Sequence, residues 1–241
     1  MPAVKILDLL LLVVVLVAIV VFGVRQSNDY SANVPTVTVK LNFDETTLNQ
    51  IENHYGTLIR QRFADWQRLM TNADNLSETE KLQQVNDFFN RNLSFADDAT
   101  LWRKKDYWAT PAEFICRGAG DCEDFAIAKY FTLLEMGVSD SKLRITYVKA
   151  LQLNQAHMVL TYFATPQSIP LVLDNLTMII SPANERDDLQ PVYSFNGSGL
   201  WQAKEQGEGE IGESKSLNPW ADLKARIVKS MTENDEVCFG G

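Results

Sequence analysis

A chain of 241 residues is long enough for one good-sized core domain with appendages. With 46% hydrophobic and 22% charged residues, it has the composition of a globular protein and not of a disordered or fibrous one. The net charge of -9 argues against a nucleic-acid partner, because phosphate backbones select basic surfaces, and it suits basic substrates or divalent cations.

Residues 9–24 form an unbroken apolar run, with Lys5 before it and Arg25 after it. At the extreme N-terminus, and with no polar face, such a run is a secretory signal or an uncleaved signal anchor. Residues 1–25 are therefore expected to direct export, with 6–24 as the only membrane contact if the segment is retained. Either way Lys5 stays on the cytoplasmic side and the remainder is exported. Residues 26–36 are polar, contain one proline and read as a linker. The main domain is expected over 37–241, opening with a short strand at 36–41.

Residues 47–70 repeat apolar side chains at three and four: Ile51, Tyr55, Leu58, Ile59, Phe63, Trp66 and Leu69. This spacing predicts a helix. A second helix starts at Ser77, where S-E-T-E is a capping box, and Leu82, Val85, Phe88 and Phe89 give it an apolar stripe. Residues 95–120 are rich in aromatics, and Thr110-Pro111-Ala112-Glu113 is a helix start with proline at its first position. Residues 117–120 read as a loop. Residues 121–136 predict a further helix stopped by Gly137. Strands are predicted at 143–151, 156–163, 171–174 and 178–180. The glycine- and glutamate-rich stretch 205–213 is expected to be a mobile loop. An amphipathic helix is expected at 218–231. Helices first and strands second make an α+β fold, with an N-terminal helical part packed on an antiparallel sheet.

Cys116, Cys122 and Cys238 are the only cysteines, so at least one thiol is free. In an oxidising compartment, Cys116 with Cys238 is the pairing that spares Cys122. Two unpaired structural cysteines are the alternative.

Cys122 stands in G-A-G-D-C-E-D at 118–124, where a glycine-bearing loop enters a helix. Unpaired N–H groups and the positive dipole end in the first turn stabilise a thiolate, which is the nucleophilic form. The same N–H groups are candidate oxyanion donors. His157 begins an alternating strand and shares a face with Val159 and Thr161. Asp174 ends the apolar run at 171–173. A hairpin closing symmetrically about Thr165-Pro166 would set His157 opposite Asp174, where the carboxylate could fix the imidazole tautomer.

A cysteine at a helix start, then a histidine on a strand, then an aspartate on the next strand is the order of the papain/transglutaminase class. G-D-C-E-D-F-A-I-A-K-Y at 120–130, A-H-M-V-L at 156–160 and L-D-N-L at 173–176 closely resemble the bacterial transglutaminase-like cysteine proteinases. The resemblance runs from about Trp66 to Trp201 and includes R-D-D-L at 186–189 and Y-S-F-N at 193–196. It implies a papain/transglutaminase-like core with Cys122 as nucleophile, His157 as base and Asp174 as orienting group. By the adhesin-cleaving members of the family, it also implies a periplasmic protease. Such an enzyme clips large RTX-type surface adhesins near their N-termini, at a site of small residues. It further implies sequestration by the periplasmic domain of an inner-membrane cyclic-di-GMP receptor.

Asp121, Glu123 and Asp124 crowd Cys122. One or two of them complement the helix dipole. Yet a carboxylate about 6 Å from a thiolate opposes its ionisation by roughly 2–3 kcal/mol at an effective dielectric of ~20. A hard cation would relieve this, and all-oxygen ligands favour calcium. The resemblance also implies calcium, with the acids that flank the cysteine, Asp121, Glu123 and Asp124, as candidate ligands; which further groups, such as backbone carbonyls or Asp106, complete the set is not readable from the sequence. Trp108 is a candidate wall of a substrate groove. The same triad is compatible with transamidation or deamidation, since the acceptor of the acyl group decides the outcome. A binding module that has kept the fold without activity is a third reading.

Overall fold

The computed structural model describes residues 43–204, 207–232 and 238. The expected export segment (1–25), the linker (26–36) and the strand at 36–41 lie outside the described residues. Among the described residues, no helix is long and apolar enough to cross a membrane.

Helix α1 (Glu45–Tyr55) opens on Asp44, whose carboxylate accepts the Thr47 N–H at 2.8 Å. Helix α2 (Thr57–Thr71) follows directly. The single helix expected over 47–70 is thus two. Gly56 separates them at φ 90°, a conformation that side chains with a Cβ resist, and it turns the chain out of the ladder. Helix α3 (Glu78–Asn92) begins at its expected capping box, with Ser77 and Glu80 each accepting the other's backbone N–H.

Strand β1 (Ser94–Phe95) leads to a single short turn, α4 (Asp98–Leu101), capped by Asp97. Helix α5 (Pro111–Arg117) starts at the Thr110–Glu113 capping box and ends at Gly118, in the left-handed region at φ 68°. The expected loop after it holds a two-residue strand, β2 (Ala119–Gly120), which pairs in parallel with β1. This pairing ties the approach to Cys122 to the end of α3. Helix α6 (Cys122–Glu135) comes next.

Seven strands then build one sheet: β3 (Leu143–Ala150), β4 (Gln155–Tyr162), β5 (Leu171–Leu173), β6 (Ser181–Pro182), β7 (Leu189–Phe195), β8 (Gly199–Lys204) and β9 (Gly207–Glu213). Their order is β6-β5-β4-β3-β7-β8-β9, and every neighbouring pair is antiparallel. Three expectations need correction. The strand predicted at 178–180 is absent, and Ser181 and Pro182 pair with β5 instead. The segment expected as a mobile loop contains β9, whose poor strand formers are held by the ladder to β8. Strands β7 and β8 were not anticipated.

Helix α6 has no polar face because it has no exposed side: it packs against α3, α5, β3 and β4. Ile127 and Leu133 are fully buried, and Trp66 from α2 donates its indole N–H to Thr132 Oγ1 at 2.9 Å. Ile145 and Leu160 face each other across β3 and β4 on the side toward the helices. A smaller cluster, Val148, Val159 and Val172, occupies the other side of the sheet. Helix α7 (Asn218–Thr232) lays Trp220, Leu223 and Ile227 into the core, with Trp220 edge-on to Phe195. Cys238, beyond α7, is joined to Cys116 on α5, which leaves Cys122 as the free thiol.

Phe89 is fully buried and stacked on Phe114, with ring centroids 6.0 Å apart. Phe89→Ala is expected to cost about 3–5 kcal/mol, read from denaturant unfolding. A loss below roughly 1 kcal/mol would contradict a rigid core at this junction.

Candidate active site

Cys122 is the first residue of α6, and Asp121 is its N-cap. The partly exposed thiol donates to Glu123 Oε2 at 3.1 Å. The backbone N–H of Met158 on β4 points at the sulfur, so the thiol rests against the strand that carries His157. No hydrogen bond joins thiol and imidazole among the described residues. Burial, then the Glu123 carboxylate, then Asp121 push the thiol far above its ordinary range. An oxygen this close makes the repulsion larger than the sequence suggested. At about 4 Å and an effective dielectric of ~20 it is about 4 kcal/mol.

His157 and Asp174 do meet: Nε2 and Oδ1 lie 2.8 Å apart, with the side chains 3% and 0% exposed. They do not meet through the expected register. Strands β4 and β5 pair Leu160 with Leu173, two residues away from the alignment that would set His157 opposite Asp174. A slip of two keeps every side chain on its face, and Asp174, one residue past β5, reaches His157 diagonally. Burial alone would raise Asp174. Hydrogen bonds and charge from His157, the Leu176 N–H and Arg186 outweigh it and hold the carboxyl far below its usual range. A carboxylate only accepts, so Nε2 carries the hydrogen, and in the neutral ring the lone pair is on Nδ1.

The loop after β5 is fixed by its carbonyls. Asn90 on α3 donates to the carbonyls of Asp174 at 2.7 Å and Thr177 at 3.0 Å, and Asn86 donates to that of Met178 at 3.2 Å. Asn86 in turn accepts from the buried Lys129 ammonium at 2.8 Å. Arg186 grips Asp174 Oδ2 at 2.8 Å and both oxygens of Asp188. The sequence showed none of these supporting roles, because all but the Arg186–Asp188 pair join segments at least 12 residues apart.

The acids gather into one cluster. Asp121 and Glu123 lie with Cys122, Asp98 with Asp121 and Asp124, and Asp98 with Asp106 and Glu123, each set having candidate ligand atoms within 4.8 Å of one another. Asp98 was not anticipated. It sits on α4, and its only local signal is its place beside the Asp97 cap. Oδ1 of Asp98 and Oδ1 of Asp121 are buried without any hydrogen-bond partner. Burial pushes Asp98 up to about 6, and burial together with Glu123 and Asp124 pushes Asp121 up much further. Asp124 is differently placed: its oxygens accept the N–H groups of Ala109 at 2.8 Å and Asp121 at 3.3 Å. It braces the loop against the helix start. A set of carboxylates with orphaned buried oxygens, opposed only weakly by Lys105 at Asp106, fits a hard, irregularly coordinated cation such as calcium.

Trp108, the candidate groove wall, packs in the core. It is 7% exposed and stacked on Phe195 at 5.5 Å, and its carbonyl accepts from Arg226 of α7. Its side chain faces Asp106, one acid of the cluster, while packing in the core. Arg226 also binds Tyr107 Oη at 3.0 Å and Glu113 Oε2 at 2.8 Å, which fastens the loop from α4 to α5.

Residues 62–190 match the family described as bacterial transglutaminase-like cysteine proteinase. The chain belongs to this family. Among solved structures it is similar to Legionella pneumophila LapG, at 45% identity over 76% of this chain and 96% of that one, with a TM-score of 0.67. An EGTA-treated form of that protein matches at 45% identity with a TM-score of 0.68, over the same shares of the two chains. A calcium-bound form matches at 44% identity over 76% of this chain and 98% of that one, with a TM-score of 0.66. None of the curated proteins compared matches the chain. The antiparallel sheet and its helical layer are thus the transglutaminase-like α+β fold of these proteins.

The cluster predicts a pH response of the metal-free protein. Groups with raised folded-state pKa hold protons that the unfolded chain has released. Stability therefore rises as pH falls through about 6, the value for Asp98, toward the ordinary carboxyl range near 4. Calorimetry in a chelator is expected to show Tm increasing from pH 7 to pH 5. A flat or falling Tm would contradict the uncompensated cluster.

Proposed function

We propose that the chain is an exported, calcium-dependent cysteine endopeptidase. Its substrate is a large RTX-type surface adhesin, cut near its N-terminus, which releases the adhesin and disperses a biofilm. The observation that carries this reading is the buried His157–Asp174 pair, with Nδ1 available as a base, on the strand whose Met158 backbone N–H is directed at the one free thiol, at a helix start. The match to LapG, including its calcium-bound and EGTA-treated forms, supports the same direction. The Cys116–Cys238 disulfide supports a periplasmic site of action, since structural disulfides persist in oxidising compartments. The N-terminal segment, as signal or anchor over 6–24, is the proposed route there. The periplasmic domain of an inner-membrane cyclic-di-GMP receptor is the proposed regulator.

In this reading Cys122 Sγ attacks the scissile carbonyl carbon and its hydrogen passes to His157 Nδ1. N–H groups in the first turn of α6 receive the developing oxyanion. The imidazolium then protonates the leaving amine, and a thioester remains on Cys122. Water, deprotonated at Nδ1, attacks the thioester, releases the acid and returns the hydrogen to the thiol. Asp174 stabilises the imidazolium throughout and fixes its tautomer. Asp98, Asp106, Asp121 and Glu123 would hold calcium, with Asp124 as their brace. When bound, its charge offsets the carboxylate field that keeps the thiol protonated.

Incubation with an adhesin fragment is expected to give discrete cleavage products with wild type, and none with Cys122→Ala or in EGTA. An amine-tagged glutamine without cleavage would instead establish a transamidase, and cleavage by Cys122→Ala would defeat the nucleophile assignment. Asp98→Asn is expected to weaken calcium binding by about 10–100-fold in titration calorimetry. Unchanged affinity would remove Asp98 from the site.

A further inference from the structure

We infer that Arg186 is a positioning residue for the His157–Asp174 pair, holding the carboxylate so that the imidazole keeps its hydrogen on Nε2. The inference rests on the cysteine-protease reading above. The two oxygens of Asp174 have separate duties. Oδ1 receives His157 Nε2 at 2.8 Å and the Leu176 N–H at 3.0 Å, while Oδ2 receives Arg186 Nη2 at 2.8 Å. Asp174 is fully buried, and Arg186 is the one hydrogen-bond donor to Oδ2 among the described residues. Without that donor, a buried carboxylate oxygen is left bare, which favours rotation of the carboxyl group or uptake of a proton. A protonated Asp174 would donate to the imidazole. The tautomer would then reverse, with the hydrogen on Nδ1 and no base facing the thiol.

Arg186 comes from the segment between β6 and β7, and its own orientation is set. Nε donates to Asp188 Oδ1 and Nη2 to Asp188 Oδ2, both at 2.8 Å, so one planar group bridges two carboxylates. A lysine ammonium is a point donor and does not reproduce such a bridge.

Arg186 also lines a cavity of about 690 Å³ on the outer side of the sheet, with Val159, Val172 and Leu189 in its wall. Its Nη1 is buried and has no hydrogen-bond partner. Removing the side chain therefore leaves a guanidinium-shaped vacancy between Asp174 and Asp188 that opens onto this cavity. A small guanidinium ion from solution can fill it.

The test uses the full chain with calcium, labelled with ¹⁵N-histidine, where only His54 and His157 give signals. Arg186→Ala is expected to lower kcat on the adhesin fragment by about 10–100-fold, as for other outer partners that orient a functional side chain, with KM unchanged. The Nε2–H signal of His157 is expected to shift and exchange faster. Millimolar guanidinium, below denaturing levels, restores both, and methylammonium restores neither. Wild-type kcat in Arg186→Ala, or an unmoved His157 signal, overturns the inference. If Arg186→Ala does not fold by circular dichroism, Arg186→Lys decides: reduced kcat at unchanged KM supports the bridge, and wild-type kcat overturns it. If wild type itself fails to cleave while the guanidinium-dependent His157 signal remains, the protease reading falls and the positioning role stands.

Discussion

Carboxylates are costly to bury, and this chain buries them in two neighbouring places with opposite solutions. Asp174 receives donors from three parts of the chain, and it stays ionised at no exposure to water. The acids around Asp98 and Asp121 receive too few, and two of their buried oxygens have no partner at all. The first arrangement is complete within the polypeptide. The second is left uncompensated by the described residues.

The two meet at the start of α6. One carboxylate system prepares the imidazole on β4, and the other sets the field felt by the thiol that rests against the same strand. Because α6 is enclosed by α3, α5 and the sheet, its first turn has little freedom to move away from either. The rigidity of the core is in this way a condition of the chemistry. The distant Arg226 contributes as well, since it fastens the loop that brings Asp106 and Trp108 to the cluster.

What was legible in the sequence was local. The capping boxes at Ser77 and Thr110, the helix start at Cys122 and the stripe of α7 depend on residues three or four apart, and all appear where read. The His157–Asp174 pair was anticipated from a register that is wrong by two, and it survived because a slip of two does not change faces. What was missed depends on long-range pairing. Strand β9 has no intrinsic preference for its state and exists through β8. Asp98 joins the acids around Cys122 only when α4 and α6 are brought together. The break at Gly56 was hidden by apolar spacing that continues through it.

The loop after β5 is held by carbonyl groups, through Asn90 and Asn86, and not by its side chains. Leu176 and Ile179 on that loop stay 52% and 69% exposed. Substitutions at these two positions leave all three bonds to the helix in place. The loop is thus a surface on which natural variation can accumulate beside Asp174 while the aspartate keeps its place.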